Sequence, residues 1–296
     1  MAATYRILHR TEYTYSSVVV PSYSLLHLLP RDTVNQRCLT STLHVDPEPD
    51  DRRDHEDFFG NRVAYVAIHA PHLTLRISAE SVVEVTDQGL SLFGQQSWEQ
   101  ARDGVRGVGG AAHDEGVQFA LDSPRVAASE TFAAYARPSF PPGRDVVEAA
   151  VDLSSRIHAD FTYAPGETEV DTPLEEVFER RHGVCQDFAH VGIACLRSLG
   201  LAARYVSGYL ETDPPPGRPK LTGADVSHAW LSVLVPGAGW VDVDPTNDQL
   251  AGDRHVVTAY GRDYADVAPV GGVIFTRGTT TELKVVVDVA AVPAEA

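Results

Sequence analysis

The chain has 296 residues, of which 43% are hydrophobic, and it carries a formal net charge of −17 at pH 7. This length and hydrophobic fraction support one large or two medium folded domains and exclude general disorder. The negative charge opposes phosphate backbones and anionic lipid surfaces, so no nucleic acid and no membrane is expected as a partner.

Residues 1–86 are predicted to form an N-terminal β domain, antiparallel and sandwich-like. Gly60 and Asn61 lie between two β-rich runs, and both residue types tolerate positive φ, which indicates a hairpin and hence an antiparallel pair. The β-rich runs are separated by polar turns and cover residues 5–15, 37–45, 62–69 and 73–85.

Residues 87–143 are predicted to be a connecting region of helix and loop, because strand signals end there and Gly, Ala, Gln and Ser become frequent. A second domain is predicted over residues 144–296. Its first helix covers residues 145–161, where apolar residues recur with helical spacing. A second helix is predicted to begin with Thr172 as its N-cap residue.

A third helix is predicted to begin at Cys185, after a glycine-led turn, and to end at Gly200 as a C-cap. The polar insert 213–220 is expected to be an exposed loop. The alternating runs 270–275 and 282–292 are predicted to complete the sheet or barrel of the second domain. Helices and strands together make the chain an α+β protein. The strands on which the Cys-bearing helix packs are predicted over residues 203–210, 227–235 and 240–244.

The chain contains three cysteines, Cys38, Cys185 and Cys195, and an odd number does not make a disulfide framework. Its start has no basic stretch followed by an apolar run, and no later segment has the roughly 20 apolar residues of a membrane helix. A cytoplasmic protein in a reducing compartment is therefore expected.

Cys185 is the main candidate for a reactive residue. Unpaired backbone N–H groups and the positive end of the helix dipole stabilise a thiolate at a helix start. His228 and the pair Asp242 and Asp244 follow on predicted strands, and they supply a base and an orienting carboxylate. This order predicts thiol-dependent acyl transfer. An inert buried thiol is the alternative.

Four ordered blocks of the chain resemble the bacterial transglutaminase-like superfamily. They are GVCQDFAH (183–190), LGLAARYVSGY (199–209), SHAW (227–230) and GWVDVDPTN (239–247). The N-terminal β region and residues 261–269 resemble further parts of bacterial members, and the resemblance is weakest over residues 87–142.

The resemblance implies a papain-like α+β core with Cys185 as nucleophile, His228 as base and Asp244 as orienting carboxylate. Asp242 stays an alternative to Asp244, because residues two positions apart share a face on a regular strand.

Several residues near the thiol are candidates for a supporting role. The backbone N–H of Cys185 is the first candidate donor to an oxyanion. The Tyr163 hydroxyl is a second, because some family members use an aromatic side chain upstream of the cysteine, and Gln186 is a third. Packing at a turn is the alternative for Tyr163. Trp230 and Trp240 are either walls of the cleft or core residues.

No metal or cofactor is expected. His182, His190 and Cys195 could join Cys185 as ligands, but the chain has no paired CxxC motif, and histidines within helices more often cap or pack. Cys195 lies nearly three helical turns beyond Cys185 and is expected in the core. No calcium loop of alternating Asp or Asn residues is present.

The function expected from the resemblance is acyl transfer on peptide or glutamine amides. Hydrolysis by a cysteine protease or amidase is preferred, because many bacterial members of the family resemble proteases, and the partner is then a protein or peptide substrate. One alternative is a protein-glutamine gamma-glutamyltransferase, in which an amine accepts the acyl group. A second is a non-catalytic binding or assembly module, and a homo-oligomer stays open.

Overall fold

The computed structural model of the protein describes residues 2–86, 96–107, 109–212 and 225–293, so the predicted loop 213–220 lies outside the described residues. The strands in chain order are β1 (Ala2–Leu26), β2 (Gln36–Asp46), β3 (Asp51–Glu56), β4 (Arg62–Ile68), β5 (His72–Thr86), β6 (Thr162–Tyr163), β7 (His182–Gly183), β8 (Ala203–Leu210), β9 (Ser227–Val235), β10 (Gly239–Asp244), β11 (Gln249–Leu250), β12 (His255–Gly261), β13 (Val270–Thr276) and β14 (Thr281–Ala291). The helices are α1 (Trp98–Arg106), α2 (Ala111–Gly116), α3 (Glu130–Ala136), α4 (Val146–Asp160), α5 (Leu174–Arg180), α6 (Cys185–Ser198) and α7 (Tyr264–Val267).

The first sheet is antiparallel and is built around the long strand β1. Its strands follow the order β2-β5-β1-β4-β3, and β13 and β14 also pair with β1. Side chains at alternate positions are buried, as Tyr5 and Ile7 of β1 and Val83 and Val85 of β5 show. The predicted N-terminal antiparallel β domain is therefore confirmed.

The hairpin predicted at Gly60 and Asn61 joins β3 to β4. Gly60 has φ +72°, and the two strands pair antiparallel. The Asp57 carboxylate accepts the backbone N–H groups of Phe59 and Asn61, each at 2.8 Å, and so closes the turn.

The prediction that the last two strands complete the sheet of the second domain is wrong. β14 pairs with the first half of β1, from Tyr5 to Tyr15, and β13 pairs with its second half, from Val19 to Leu26. Each half of β1 has two edges. β5 pairs with one edge of the first half and β4 with one edge of the second half, so the other edge of each half is available to β14 and β13. The two ends of the chain therefore build one sheet together.

The second sheet has the order β11-β10-β9-β8-β12, with antiparallel pairing throughout. The predicted Cys-bearing helix is α6, and it packs on β9 in a core shared with α4. Gly192 lets α6 approach closely, because a Cβ there would overlap Leu231 Cδ2. The α+β architecture is thus confirmed. Among the described helices, none has the length and apolar character needed to span a membrane.

Two buried carboxamides attach the N-terminal sheet to β12, the edge strand of the second sheet. The Gln36 side chain donates to the Val257 carbonyl at 2.8 Å and accepts the Val257 N–H at 2.7 Å. The Asn61 side chain donates to the Tyr260 carbonyl at 2.7 Å and accepts the Tyr260 N–H at 2.8 Å. Each carboxamide acts as an additional strand residue, so the edge of β12 is covered.

We expect Asn61→Ala to lower the free energy of unfolding by about 2–3 kcal/mol, because it leaves the buried N–H and carbonyl of Tyr260 without partners. Urea denaturation measures this loss. Asn35→Ala is the matched control, because the Asn35 side chain makes no hydrogen bond within the described part of the chain. Equal losses in the two variants would contradict the proposed attachment.

Candidate active site

The start of α6 is held by a short parallel pair of strands and by a carboxylate cap. β6 pairs with β7, two residues before Cys185. The Asp187 carboxylate accepts the Val184 N–H and the Thr168 hydroxyl, each at 2.8 Å. A Cβ at Gly183 would lie 2.6 Å from Asp187 Oδ2, so glycine is required for this close approach. Cys185 therefore occupies the first position of the helix, half-buried.

His228 and Asp244 lie on the neighbouring antiparallel strands β9 and β10. His228 Nε2 donates to Asp244 Oδ2 at 2.8 Å, and Asp244 is fully buried. Cys185 lies close enough to His228 to raise the pKa of the imidazole. Because Nε2 faces Asp244, the other ring nitrogen, Nδ1, is the one left for the thiol. The structure thus brings the three predicted residues together at one site.

The charges at this site favour a protonated His228. Burial lowers the pKa of His228, but hydrogen bonds and charge from Asp244 and Cys185 outweigh burial and raise it from 6.5 to about 10. Burial likewise opposes ionisation of Asp244, yet the donors around it hold its pKa far below the usual value of 3.8. The pair therefore stabilises the folded state across neutral pH. Its contribution is lost as pH rises through about 10, and also in acid as Asp244 becomes protonated.

Asp242, the alternative orienting carboxylate, is engaged elsewhere. It accepts the Trp230 indole N–H at 3.2 Å and the hydroxyl of Ser232. Trp230 is fully buried below His228, with ring centroids 5.8 Å apart, so it is a core residue. Asp242 thus supports the floor of the site, and Asp244 is the carboxylate that contacts His228.

Sequence reasoning missed two further partners of Asp244. His255 Nε2 lies 3.2 Å from Asp244 Oδ2, and Asn247 Nδ2 donates to the same oxygen at 2.7 Å. His255 Nδ1 accepts the Gly252 N–H at 3.2 Å, which assigns the ring proton to Nε2. Asn247 lies inside the block 239–247, where its spacing from Asp244 was a usable signal. His255 lies in no recognised block.

The cluster of His228, Asp244 and His255 is also the one group among the described residues whose ligand atoms approach closely enough to hold a metal ion, within 4.8 Å of one another. Its hydrogen bonds argue against that use. The Gly252 N–H directed at His255 Nδ1 keeps the proton on Nε2, the atom that would have to bind the metal. His228 holds a proton as well. The two histidines therefore fit the role of hydrogen-bond donors to Asp244 better than the role of metal ligands.

The other predicted metal-ligand candidates lie in separate environments. His182 Nδ1 is 2.5 Å from the Arg180 carbonyl, and His190 Nε2 accepts the Tyr264 N–H at 3.1 Å. Burial lowers the pKa of His190 to about 3, so it is neutral. Cys195 is fully buried in the core, as expected from its position.

The two side-chain candidates for oxyanion binding differ in their placement. Tyr163 lies on β6 beside Gly183, and its side chain is 48% exposed. Burial, then the charge of Cys185, raises the pKa of Tyr163. The Gln186 amide donates to the Val170 carbonyl at 3.2 Å. Tyr163 is therefore the better placed of the two.

Two protein-family models match parts of the chain. Residues 5–84 match the family described as the bacterial transglutaminase-like N-terminal region, and residues 133–245 match the transglutaminase-like superfamily. An uncharacterized protein of Mycobacterium tuberculosis is 46% identical over 96% of this chain and 92% of its own length. An uncharacterized protein of Mycobacterium leprae is 33% identical over 96% and 97%.

Two further similarities concern proteins with a named activity. A protein-glutamine gamma-glutamyltransferase of Pseudomonas aeruginosa is 35% identical over 100 residues, which are 33% of this chain and 15% of that enzyme. A solved structure from Cytophaga hutchinsonii, named a "putative cysteine protease", has a TM-score of 0.74 and 22% identity, covering 100% of this chain and 92% of its own. At this identity the structural match establishes the fold.

We expect the pKa of His228, measured by NMR titration of its ring protons, to be about 10 in the unmodified protein. Asp244→Asn should lower it to 6.5 or below, because the stabilising charge is lost while burial remains. His228→Gln assigns the resonance. A His228 pKa that stays near 6.5 in the unmodified protein would contradict the protonated pair.

Proposed function

Because the chain belongs to the transglutaminase-like superfamily, we propose that it is a thiol-dependent acyl-transfer enzyme whose main reaction is hydrolysis of peptide or glutamine amides. One observation carries the proposal. His228 donates a hydrogen bond to the buried Asp244 carboxylate and lies close enough to Cys185 for the thiol to raise the pKa of His228. This is the arrangement that activates a thiol nucleophile.

In the proposed first half-reaction, Cys185 acts as a thiolate beside the His228 imidazolium. Sγ attacks the amide carbonyl carbon, a C–S bond forms, and the carbonyl oxygen becomes an oxyanion. The C–N bond then breaks, and the amine or ammonia leaves with the proton from His228. Asp244 stays ionised throughout and holds the ring in orientation.

In the second half-reaction, neutral His228 takes a proton from water, and the resulting hydroxide attacks the thioester carbonyl. The C–S bond breaks, the carboxylic acid leaves, and the thiolate–imidazolium pair is restored. His255 and Asn247 contribute by holding Asp244, since both direct hydrogen-bond donors at its Oδ2 atom. They are positioning residues in this scheme.

The oxyanion of both tetrahedral intermediates is proposed to bind the backbone N–H of Cys185 and the Tyr163 hydroxyl. The first lies at the helix start and donates no hydrogen bond within the described residues. The second is supported by the pairing of β6 with β7, which places Tyr163 beside the turn that leads to Cys185.

Water is the proposed acceptor because the margin of the site is open. Cys185 is only half-buried and Tyr163 is 48% exposed, so solvent has access to a thioester there. The substrate would then be a protein or peptide. Transfer to an amine is the second candidate, and the similarity to the gamma-glutamyltransferase of Pseudomonas aeruginosa favours it. We also propose a cytoplasmic location, which the three free thiols support.

Brief treatment with iodoacetamide near neutral pH should label Cys185 at least tenfold faster than it labels the same residue in His228→Ala. Mass spectrometry of the peptides measures both rates. Cys195 is an internal control, because it is fully buried and burial raises the pKa of its thiol. Equal, slow labelling of Cys185 in both proteins would contradict an activated thiol and favour a non-catalytic binding module.

The acceptor is identified by incubating the enzyme with a glutamine-rich protein, with and without an added primary amine. Hydrolysis predicts ammonia release that does not depend on the amine and no amine attached to the substrate. Cys185→Ala provides the background. Incorporation of the amine into the substrate would instead assign the enzyme as a transferase.

Tyr163→Phe should lower kcat about 100-fold, as expected for loss of one oxyanion donor, and should leave the labelling rate of Cys185 unchanged, because alkylation forms no oxyanion. Tyr23→Phe, remote on β1, is the matched control. A change in kcat of less than about threefold, within the spread of mutations that remove no transition-state contact, would assign Tyr163 a packing role.

A further inference from the structure

A cavity of about 360 Å³ lies where the N-terminal domain meets the second sheet. The segment 31–35 forms one wall, and Glu115, Arg204, Trp240 and Tyr260 contribute to the others. Its volume is within the range of small-molecule sites, which often occur at domain interfaces. Val34 at its rim is 97% exposed, so the cavity opens to solvent.

Arg204 has an incomplete set of partners in this cavity. Its guanidinium stacks 4.2 Å from the ring centroid of Trp240 and 3.5 Å from that of Tyr260. It donates no hydrogen bond to any residue that the structure describes, and its Nε is buried without a partner. Arg204 is half-buried, a guanidinium carries five N–H donors, and withdrawing part of a cation from water is costly unless it is paired. The two rings fix its orientation but do not satisfy those donors.

A second guanidinium shares the same aromatic ring. Arg31 lies 4.4 Å from the Tyr260 centroid, and its Nη1 donates to the Phe59 carbonyl and the Asn61 side chain. Its Nε is also buried without a partner. The charge of Arg31 therefore acts on Arg204, and neighbouring like charges repel.

The acidic side chains of the cavity do not neutralise this pair by direct contact. Glu115 accepts the Trp240 indole N–H at 2.6 Å, and Asp32 accepts the Cys38 N–H at 2.7 Å. Within the described residues, neither arginine is in an ion pair. The charges of Asp242 and Glu115 reach Arg204 only at longer range.

We propose that the Arg31–Arg204 cavity binds a small molecule through a phosphate or carboxylate group, which accepts the unpaired guanidinium N–H donors of Arg204. Planar guanidinium groups match both oxyanions with two parallel hydrogen bonds. The charge of the ligand also removes the repulsion between the two arginines. This site is separate from the proposed active site, because Trp240 and Asp244 lie four residues apart on β10, about 13 Å.

The test is binding of inorganic phosphate and of citrate to the unmodified protein at constant ionic strength, measured by isothermal titration calorimetry and by the rise in Tm. Sodium chloride is the reference salt. We expect a saturable rise in Tm with at least one of the two anions, and the better anion identifies the chemical group. Absence of saturable binding by both anions would overturn the proposal.

Arg204→Gln should weaken binding at least tenfold, because the variant lacks the charge and the fork of donors. Arg204→Lys keeps the charge without the planar fork and should also weaken it, which provides a second variant if the first does not fold. Arg102→Gln is the matched control, because Arg102 also stacks on a tryptophan, Trp98, but pairs with Asp103. Equal affinities in the unmodified protein and both Arg204 variants would overturn the assignment. The binding measurement does not require catalytic activity, so its result can be interpreted even if the proposed acyl-transfer function is wrong.

Discussion

Burial of the Asp244 carboxylate is the constraint on which the arrangement of the site depends. A fully buried carboxylate is costly unless hydrogen-bond donors replace water. Here His228, His255 and Asn247 supply side-chain donors to Oδ2, and the backbone N–H groups of Thr246 and Asn247 reach Oδ1. These donors come from β9, from the turn after β10 and from β12. Three elements must therefore be in register before the carboxylate is satisfied.

Strand β12 connects this requirement to the N-terminal sheet. It begins with His255 at Asp244, and its later residues Val257 and Tyr260 are held by Gln36 and Asn61. The N-terminal domain thus stabilises the strand that carries a partner of the buried carboxylate. After β12 the chain passes through α7, and β13 and β14 then pair with β1. The C-terminal strands therefore also connect β12 to the N-terminal sheet. β12 therefore contacts both the N-terminal sheet and the buried carboxylate of the site.

The sequence predicted most of what local patterns encode. The bounds 203–210 and 227–235 of β8 and β9 agree with the prediction, and α4 differs from it by one residue at each end. Thr172 was expected to be an N-cap, but its hydroxyl accepts the Glu169 N–H and Pro173 precedes the helix. A side chain that satisfies a nearby loop N–H competes with capping, and sequence alone does not rank the two.

What the sequence could not predict depends on contacts between distant segments. Alternation indicates a strand but not the sheet that it joins, so β13 and β14 were assigned to the wrong sheet. Strand alternation likewise left Asp242 and Asp244 equivalent. The choice between them comes from Trp230 and Ser232, which occupy Asp242, and from the turn beyond Asp244. His255 had no local signal, because its partner is brought to it by the pairing of other strands.

Asp244 and Arg204 are charged residues on the same sheet, the first fully buried and the second half-buried, and they differ in how their polar atoms are paired. Asp244 is surrounded by donors that all belong to the chain, and nothing further is needed to balance it. The Arg204 guanidinium contacts two aromatic rings, but it donates no hydrogen bond to any of the described residues. Stacking fixes the plane of a guanidinium without using its N–H groups, so the donors stay directed at their surroundings. A fold that pairs the buried carboxylate fully and leaves the half-buried guanidinium oriented but unpaired is better explained by a ligand at Arg204 than by packing alone.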